Sequence, residues 1–367
     1  MLSCQVRKLA ALLLFLSICS LACGDEQFHD PRIKVTVGAP SSVSAGFSAA
    51  VHKLADGSLF IQGYRSTDGG KTWTFTSAEV RASFNDKWSQ NGGCVLRDGT
   101  FIGLGMKNEF PRLDRRILKV YRSTDNLKTI VGPTDAVLDF PQGTGGRSET
   151  SVYSGGTYVD HSLIERQDGT LIATVYGWWM GDEEYSLLEK YVPEMNQFKY
   201  RAWVIGSEDR GQSWQTLGSP GYWPELGTEG MCEPGLTELA NGDLLMVLRN
   251  GEWSEPIFQT RSADGGRTWS KPEKLPATGV WPNLCLMSNG LLVLGVGRSR
   301  PPNYYLWVSA DGEGRTWTSR TMIAKGGKGY ASVIEAAQGE LIYTGYNKVK
   351  RALEVWPIQV ERTEASR

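Results

Sequence analysis

Glu233 and Arg249 bracket a hairpin near the middle of the chain. Between them run an apolar strand from Gly235 to Leu239, the turn Asn241-Gly242, and a second apolar strand from Asp243 to Leu248. A guanidinium at a strand end suits a carboxylate-bearing ligand, because its fork offers two parallel charge-assisted bonds. Arg298 stands in a comparable place, eight residues after Gly290, with Arg300 close by. Glu233 lies nine residues before its turn glycine, and the same offset from five other turn glycines falls on Ser48, Gln90, Asp160, Trp281 and Tyr330. Five of these six positions are polar or carry a polar tip, in strands that are otherwise apolar toward the turn.

The elements that must position these residues repeat along the chain. An apolar strand, a polar-Gly turn and a second apolar strand recur six times, with turns at Gly57, Gly99, Gly169, Gly242, Gly290 and Gly339. Asn-Gly or Asp-Gly between hydrophobic runs marks a hairpin, because the tight turn needs positive φ. A second signature, S-x-D-x-G-x-[ST]-W, follows at Ser66–Trp73, Ser207–Trp214 and Ser262–Trp269. It returns with one inserted residue at Ser309–Trp317 and in degenerate form at Ser123–Ile130. In such a turn the aspartate accepts bonds from nearby donors, the glycine takes positive φ and the tryptophan packs back on the hairpin, so these aspartates are read as scaffold.

These turns resemble the Asp boxes of the sialidase superfamily, and the resemblance covers residues 31–361. It implies an all-β, six-bladed β-propeller, four strands to a blade, which leaves no exposed sheet edge except where the ends meet. The sixth repeat has no Asp box after its third strand, so the strand Ile33–Val37 is expected to close the last blade as its outer strand. In a propeller the first strand of each blade runs along the axis. The six residues at the common offset would therefore form a ring at the mouth. The insertion 177–200 in the third repeat, helical in character near Tyr185, is long enough to line that mouth.

The resemblance extends to the ring. Exo-sialidases carry a Glu opening the strand that leads to E-L-x-x-G-x-L and an Arg ending the next strand, as Glu233 and Arg249 do. They have a Tyr-x-Ser motif, matched by Tyr330-Ala331-Ser332, and a further Arg before the fifth Asp box, matched by Arg298 or Arg300. In that family the Tyr is the nucleophile and the adjacent Glu takes its proton, because a phenol of pKa about 10 is a weak nucleophile at neutral pH. The chain departs from the family where an Arg-Ile-Pro motif would stand, since it reads Phe47-Ser48-Ala49-Ala50. The loop of blade one that holds the family's acid/base aspartate is also nearly missing, so the arginine triad is incomplete and the acid is displaced. Asp160, His161, Asp182, Glu183 and Glu184 are the substitutes in reach, His161 for proton transfer near neutral pH. Trp178, Trp179 and Trp281 would offer flat faces to sugar rings, and Gln90 a polar contact.

The leading expectation is thus a glycoside hydrolase acting on terminal acidic sugars. The alternatives are a polysaccharide lyase, in which His161 and Tyr330 move protons, and a non-catalytic glycan-binding propeller. Nothing in the chain demands a metal or other cofactor.

Composition bounds these readings. Of 367 residues 40% are hydrophobic and 22% charged, with 43 Gly, 13 Trp and 14 Tyr, a balance that favours an all-β repeat architecture. A net charge of −1 without a basic run argues against nucleic acid as partner. Residues 1–22 resemble a secretory signal, with Arg7 and Lys8 ahead of an apolar run too short to span a bilayer comfortably. Ser20-Leu21-Ala22-Cys23 resembles a lipoprotein box, which would anchor an exported, periplasmic or cell-surface protein through Cys23. A monomer is expected. Cys94 and Cys285 each lie five residues before a turn glycine and are expected to fill equivalent core positions.

Overall fold

The computed structural model describes residues 28–46, 50–85, 89–108, 114–141, 157–179, 182, 198–252 and 254–363, with the backbone alone at 84–85, 89–91 and 107–108. The expected signal at 1–22, Cys23, Ser48, Glu183, Glu184 and the helical stretch of the insertion lie outside the described residues.

In chain order, β1 (Ile33–Val37) and β2 (Ser41–Val43) precede blade one, which is β3 (His52–Lys53), β4 (Leu59–Ile61), β5 (Tyr64–Ser66) and β6 (Thr74–Phe75). Helix α1 (Ala78–Asn85) leads to blade two: β7 (Ser89–Val95), β8 (Phe101–Asn108), β9 (Arg115–Ser123) and β10 (Val131–Asp139). Blade three is β11 (Thr157–Glu165), β12 (Leu171–Gly177), β13 (Arg201–Ser207) and β14 (Gln215–Gly218). Blade four is β15 (Cys232–Glu238), β16 (Leu244–Arg249), β17 (Pro256–Ser262) and β18 (Glu273–Thr278). Blade five is β19 (Val280–Leu286), β20 (Leu292–Gly297), β21 (Asn303–Ser309) and β22 (Ser319–Lys325). Blade six is β23 (Ala331–Ala337), β24 (Glu340–Asn347) and β25 (Ala352–Arg362), completed by β1.

The closure expected from the N-terminal strand is present. β1 lies antiparallel to β25 with Ile33 opposite Arg362, and β2 pairs with the other end of β25, Ser41 opposite Val355. The first strand therefore belongs to the last sheet, which ties the two ends of the ring together.

Why the second strands are mainly apolar on both faces follows from the ring. In β16, Leu244, Met246 and Leu248 join a core shared with blade three, while Leu245 and Val247 join one shared with blade five. β12 divides likewise: Leu171, Ala173 and Val175 face blade two and Ile172 faces blade four. Side chains alternate across a strand, and here both faces are covered by neighbouring blades, so both alternate sets are mainly apolar and the buried exception Thr174 donates to Pro234 O. The remaining interfaces close in the same way between blades one and two, five and six, and six and one. Each leucine so buried stabilises by about 1.5–3 kcal/mol relative to exposure.

In all five Asp boxes the Ser hydroxyl and the Thr or Ser hydroxyl donate to the aspartate, and four of them, all but the one with the inserted residue in blade five, also share the backbone donors. In the box of blade four, Ser262 Oγ donates to Asp264 Oδ1 at 2.8 Å, the Arg267 and Thr268 backbone N–H groups donate to the same oxygen, and Thr268 Oγ1 donates to Oδ2 at 2.6 Å. These donors hold the Asp264 carboxyl down at about 2. The degenerate turn of blade two keeps the pattern, with Asn126 and Leu127 at φ of 58° and 55° in the left-handed region. A Glu four residues before three of the turn glycines adds a latch to the preceding blade: Glu165 accepts from Arg97 N, Glu238 from Gln167 N and Glu335 from Ser288 N, each at 2.7 Å.

Helix α1 was not anticipated from the sequence. Ser77 caps it through Oγ, accepting from Val80 N at 3.1 Å, and Val80 is buried against the blade one to two core. Cys94 and Cys285 pack against the blade two to three and blade five to six cores, and burial pushes both thiols up to about 12. Around the axis the six inner strands line a cavity of about 260 Å³, with Lys53, Cys94, His161, Leu236, Asn283 and Ser332 each contributed by a different blade.

Candidate active site

Four inner strands carry a β-bulge at one height. The register shifts between Ser89 and Gly92 in β7, Val159 and Leu163 in β11, Cys232 and Gly235 in β15, and Val280 and Asn283 in β19. Each interval contains a residue at the common offset: Gln90, Asp160, Glu233 and Trp281. A bulge inserts an unpaired residue and re-aims its side chain. Glu233 and Trp281 show the strain of that turn, with φ of 46° and 52° in the region that L side chains rarely adopt, a conformation that costs on the order of 1–3 kcal/mol. Tyr330 directly precedes β23. Two glycines permit the close approach of these strands. A Cβ at Gly235 would lie 2.2 Å from Pro282 O, and one at Gly297 would lie 2.4 Å from Gly329 O.

These strand ends bring four blades, three to six, to one cluster. Tyr330 Oη donates to Glu233 Oε1 at 2.8 Å. Arg249 Nη1 donates to the same Oε1 at 2.7 Å, and the backbone N–H of Trp281 donates to Glu233 Oε2 at 2.8 Å. The Trp281 indole lies between two rings, stacked on Tyr330 at 4.2 Å between centroids and on His161 at 4.6 Å. His161 Nδ1 bonds Asp160 Oδ1 at 2.9 Å and Nε2 bonds Pro282 O at 3.0 Å. Asp160 and His161 are closed off, with side chains 0% and 4% exposed.

The charges follow from burial and neighbours. Burial and the negative Glu233 raise the Tyr330 phenol well above 10, outweighing the nearby Arg249. Tyr330 therefore stays protonated at rest, with its hydrogen aimed at Glu233. Burial opposes protonation of His161, but the Asp160 carboxylate lifts its pKa above 6.5. Burial raises Asp160 in turn, with His161 pulling the other way. Pro282 O can only accept, so Nε2 carries hydrogen, and the remaining proton sits between Nδ1 and Asp160.

Several expectations change. Both ring nitrogens of His161 are engaged inside the protein, so neither can protonate a leaving group or withdraw a proton from a uronate, and Asp160 is locked to it. Asp182 is buried and ion-paired to Arg201, with its pKa raised by burial against that arginine, and it does not join the Tyr330 cluster. Trp281 has both faces covered, and Trp178 and Trp179 are fully buried, Trp178 against Tyr200 and Trp179 against Trp203. None of the three offers a face to a sugar.

Arg249 is committed within the protein: besides Glu233 it donates from Nη2 to Glu229 Oε2 and from Nε to Gly251 O, each at 2.7 Å. Arg298 is fastened by its backbone N–H to Gly329 O at 3.2 Å, beside Tyr330, and its buried Nε has no hydrogen-bond partner among the described residues. Arg300 is exposed, its backbone N–H on Thr278 Oγ1. Gln90 sits in β7 at the bulge, with its side chain outside the described residues.

Glu229 escaped the sequence reading. It is 3% exposed, and its place depends on a loop: the Thr228 and Glu229 N–H groups bond Asn250 O, while Glu229 O accepts from Tyr200 N. The flanking Gly227 and Gly230, both at positive φ, were the only local hint of that fold-back.

The family profile described as BNR repeat-like domain matches residues 147–343, over half of the chain. The chain belongs to this BNR repeat-like family. No curated protein matches the sequence. Solved structures share the fold of this BNR propeller. A Dyadobacter fermentans protein of unknown function is 18% identical with a TM-score of 0.61, covering 90% of this chain and 99% of that one. A Hadza microbial sialidase is 18% identical with a TM-score of 0.56, covering 87% of this chain and 66% of that one. The α-L-arabinofuranosidase of Fusarium graminearum in complex with arabinobiose is 14% identical with a TM-score of 0.57, covering 92% and 94%. The resemblance to the sialidase superfamily is thereby upheld at the level of a sialidase-like BNR propeller. Glycoside hydrolases are among the proteins that carry this fold.

Proposed function

We propose that the protein is an exported glycoside hydrolase that cleaves terminal glycosyl units by way of a tyrosine nucleophile. The observation that carries this reading is the 2.8 Å hydrogen bond from Tyr330 Oη to Glu233 Oε1. As Tyr330 Oη attacks the anomeric carbon, its proton passes to Glu233 and the bond to the leaving oxygen breaks, giving a glycosyl-tyrosine. Water then attacks the same carbon, giving its proton to the carboxylate that served as acid, while Glu233 returns its proton to the departing phenolate, so the anomeric configuration is retained. Arg249 holds Glu233 in place, and the Trp281 stack fixes the plane of the phenol. Glu183 and Glu184, in the blade-three insertion, are the carboxyls we assign for trial as the acid to the leaving oxygen.

The test is incubation with sialosides, uronate-containing polysaccharides and neutral oligosaccharides, read for new reducing ends and for unsaturated products absorbing in the near ultraviolet. New reducing ends that vanish in Tyr330→Phe support the reading. Unsaturated products would indicate a lyase, and tight binding without product would indicate a glycan-binding protein; either ends it.

A further inference from the structure

Arg249, the arginine bonded to Glu233 among the described residues, has three of its five N–H groups already held by the protein. Its Nη1, Nη2 and Nε each donate once at 2.7 Å, to Glu233, Glu229 and Gly251 O, which leaves one N–H on each terminal nitrogen. Arg249 and the two carboxylates are 15%, 4% and 3% exposed at their side chains, so these are enclosed bonds rather than rim contacts. A charge-assisted bond of this kind is strong because water competes poorly for its partners. A ligand carboxylate on those remaining N–H groups would be the third carboxylate around one enclosed guanidinium, where like charges so close repel.

Among the described residues the charges of the site balance. Arg249 and Arg298 offset Glu229 and Glu233, while Asp160 and His161 share a proton as a second neutral pair. Where the related enzymes place another arginine the sequence reads Phe47-Ser48-Ala49-Ala50 and supplies no cation. Among the described residues an incoming carboxylate would find Arg298 as the cation not already paired to a carboxylate, and it would lie in the field of Glu229 and Glu233. Glu229 Oε1, in contrast, accepts no hydrogen bond among the described residues. A carboxylate oxygen can only accept, so its natural complement is a hydroxyl donor.

We propose that the site takes an uncharged, hydroxyl-rich glycosyl unit, with Glu229 accepting one of its hydroxyls and Arg249 serving as a fixed counter-ion. This deepens the hydrolase reading above and rests on it for the location of the site. A sialyl or uronyl unit is disfavoured by the same carboxylates that hold Arg249, and Arg298 bonds a ring or hydroxyl oxygen.

The experiment uses the full-length Tyr330→Phe protein on a glycan array that holds neutral glycans and their carboxylate-bearing counterparts, followed by titration calorimetry of the best neutral glycan and its acidic analogue. Neutral glycans are expected to lead. Glu229→Gln, which keeps the shape and removes one negative charge, is expected to shift the neutral-to-acidic affinity ratio toward the acidic analogue by about tenfold, the scale of one charge-assisted bond. Best binding to carboxylate-bearing glycans, binding to no glycan on the array, or an unchanged ratio in Glu229→Gln would each overturn the proposal. Turnover by the unmutated protein separates the two readings. Release from acidic glycans alone sinks the substrate assignment and leaves the hydrolase. Neutral binding with no release from any glycan sinks the hydrolase and leaves the assignment.

Discussion

Replacing Glu233 by Gln tests the centre of the proposed mechanism, and the structure fixes what the change does. Glu233 accepts three hydrogen bonds, from Tyr330 Oη and Arg249 Nη1 at Oε1 and from Trp281 N at Oε2. An amide NH₂ at the Oε1 place would confront two donors, whereas at the Oε2 place it confronts only the Trp281 N–H. The glutamine therefore keeps its oxygen toward Tyr330 and leaves that buried N–H unpaired, a loss of about 1–3 kcal/mol in stability. The phenol keeps a hydrogen-bond acceptor but loses a base. Removing a positioned proton acceptor lowers rates by about 10²–10⁴, or about 2.7–5.4 kcal/mol at 1.36 kcal/mol per decade. Tyr330→Phe removes the nucleophile itself and is expected to fall at least as far. Because the two act as one unit, the double variant should be about as slow as the slower single variant. Initial rates on an activated aryl glycoside of the preferred sugar, with thermal melts to show that each variant is folded, decide the matter. A Glu233→Gln protein within about threefold of the parent kcat, on the scale where loss of a proton acceptor costs about 10² or more, would refute the reasoning.

Other expectations follow from the same geometry. His52 is buried beside Phe101 and burial pushes it down to about 4, whereas Asp160 lifts His161 above 6.5 despite burial. Stability from neutral His52 is fully present above about 6.5 and is lost as pH falls toward its folded value, up to roughly 3 kcal/mol. Stability from charged His161 is present below about 6.5 and is lost as pH rises through its raised pKa. Nitrogen NMR of the imidazoles should find the two titrating on opposite sides of 6.5; coincident titrations contradict this. The Asp264 and Asp209 carboxyls are held at about 2 by their turns, so their stabilisation is present above the unfolded value and disappears as pH falls toward 2. Asp264→Asn should flatten that acid decline in urea melts, and a decline identical to the parent's would count against a scaffold role. Gly235→Ala would set a Cβ 2.2 Å from Pro282 O. It should destabilise by about 1–3 kcal/mol as overpacking and lower activity by parting blades four and five, and an unaltered melt would show that the contact can relax.

The sequence by itself determined the scaffold and the height of the site. Six equal hairpins with a turn glycine at a common offset place equivalent residues at equal levels, because a strand advances a fixed distance per residue. That is why counting back from Gly242, Gly290 and Gly339 reached Glu233, Trp281 and Tyr330 before any partner was known. The wholly apolar Leu244–Leu248 likewise required cover on both faces, and the unpaired Ile33–Val37 required a sheet to complete.

Pairing was decided only by the tertiary structure. Glu233 and Tyr330 lie 97 residues apart and meet through two blades that are not neighbours in the ring. Whether Arg249 faces a ligand or the protein depends on Glu229, which a fold-back onto Asn250 and Tyr200 delivers. Whether a tryptophan is a platform or a floor depends on what covers it, and both faces of Trp281 are taken by His161 and Tyr330. Local periodicity encodes the direction of a side chain, whereas the closing of a ring of blades sets its company, and charge and access at the site are properties of that company.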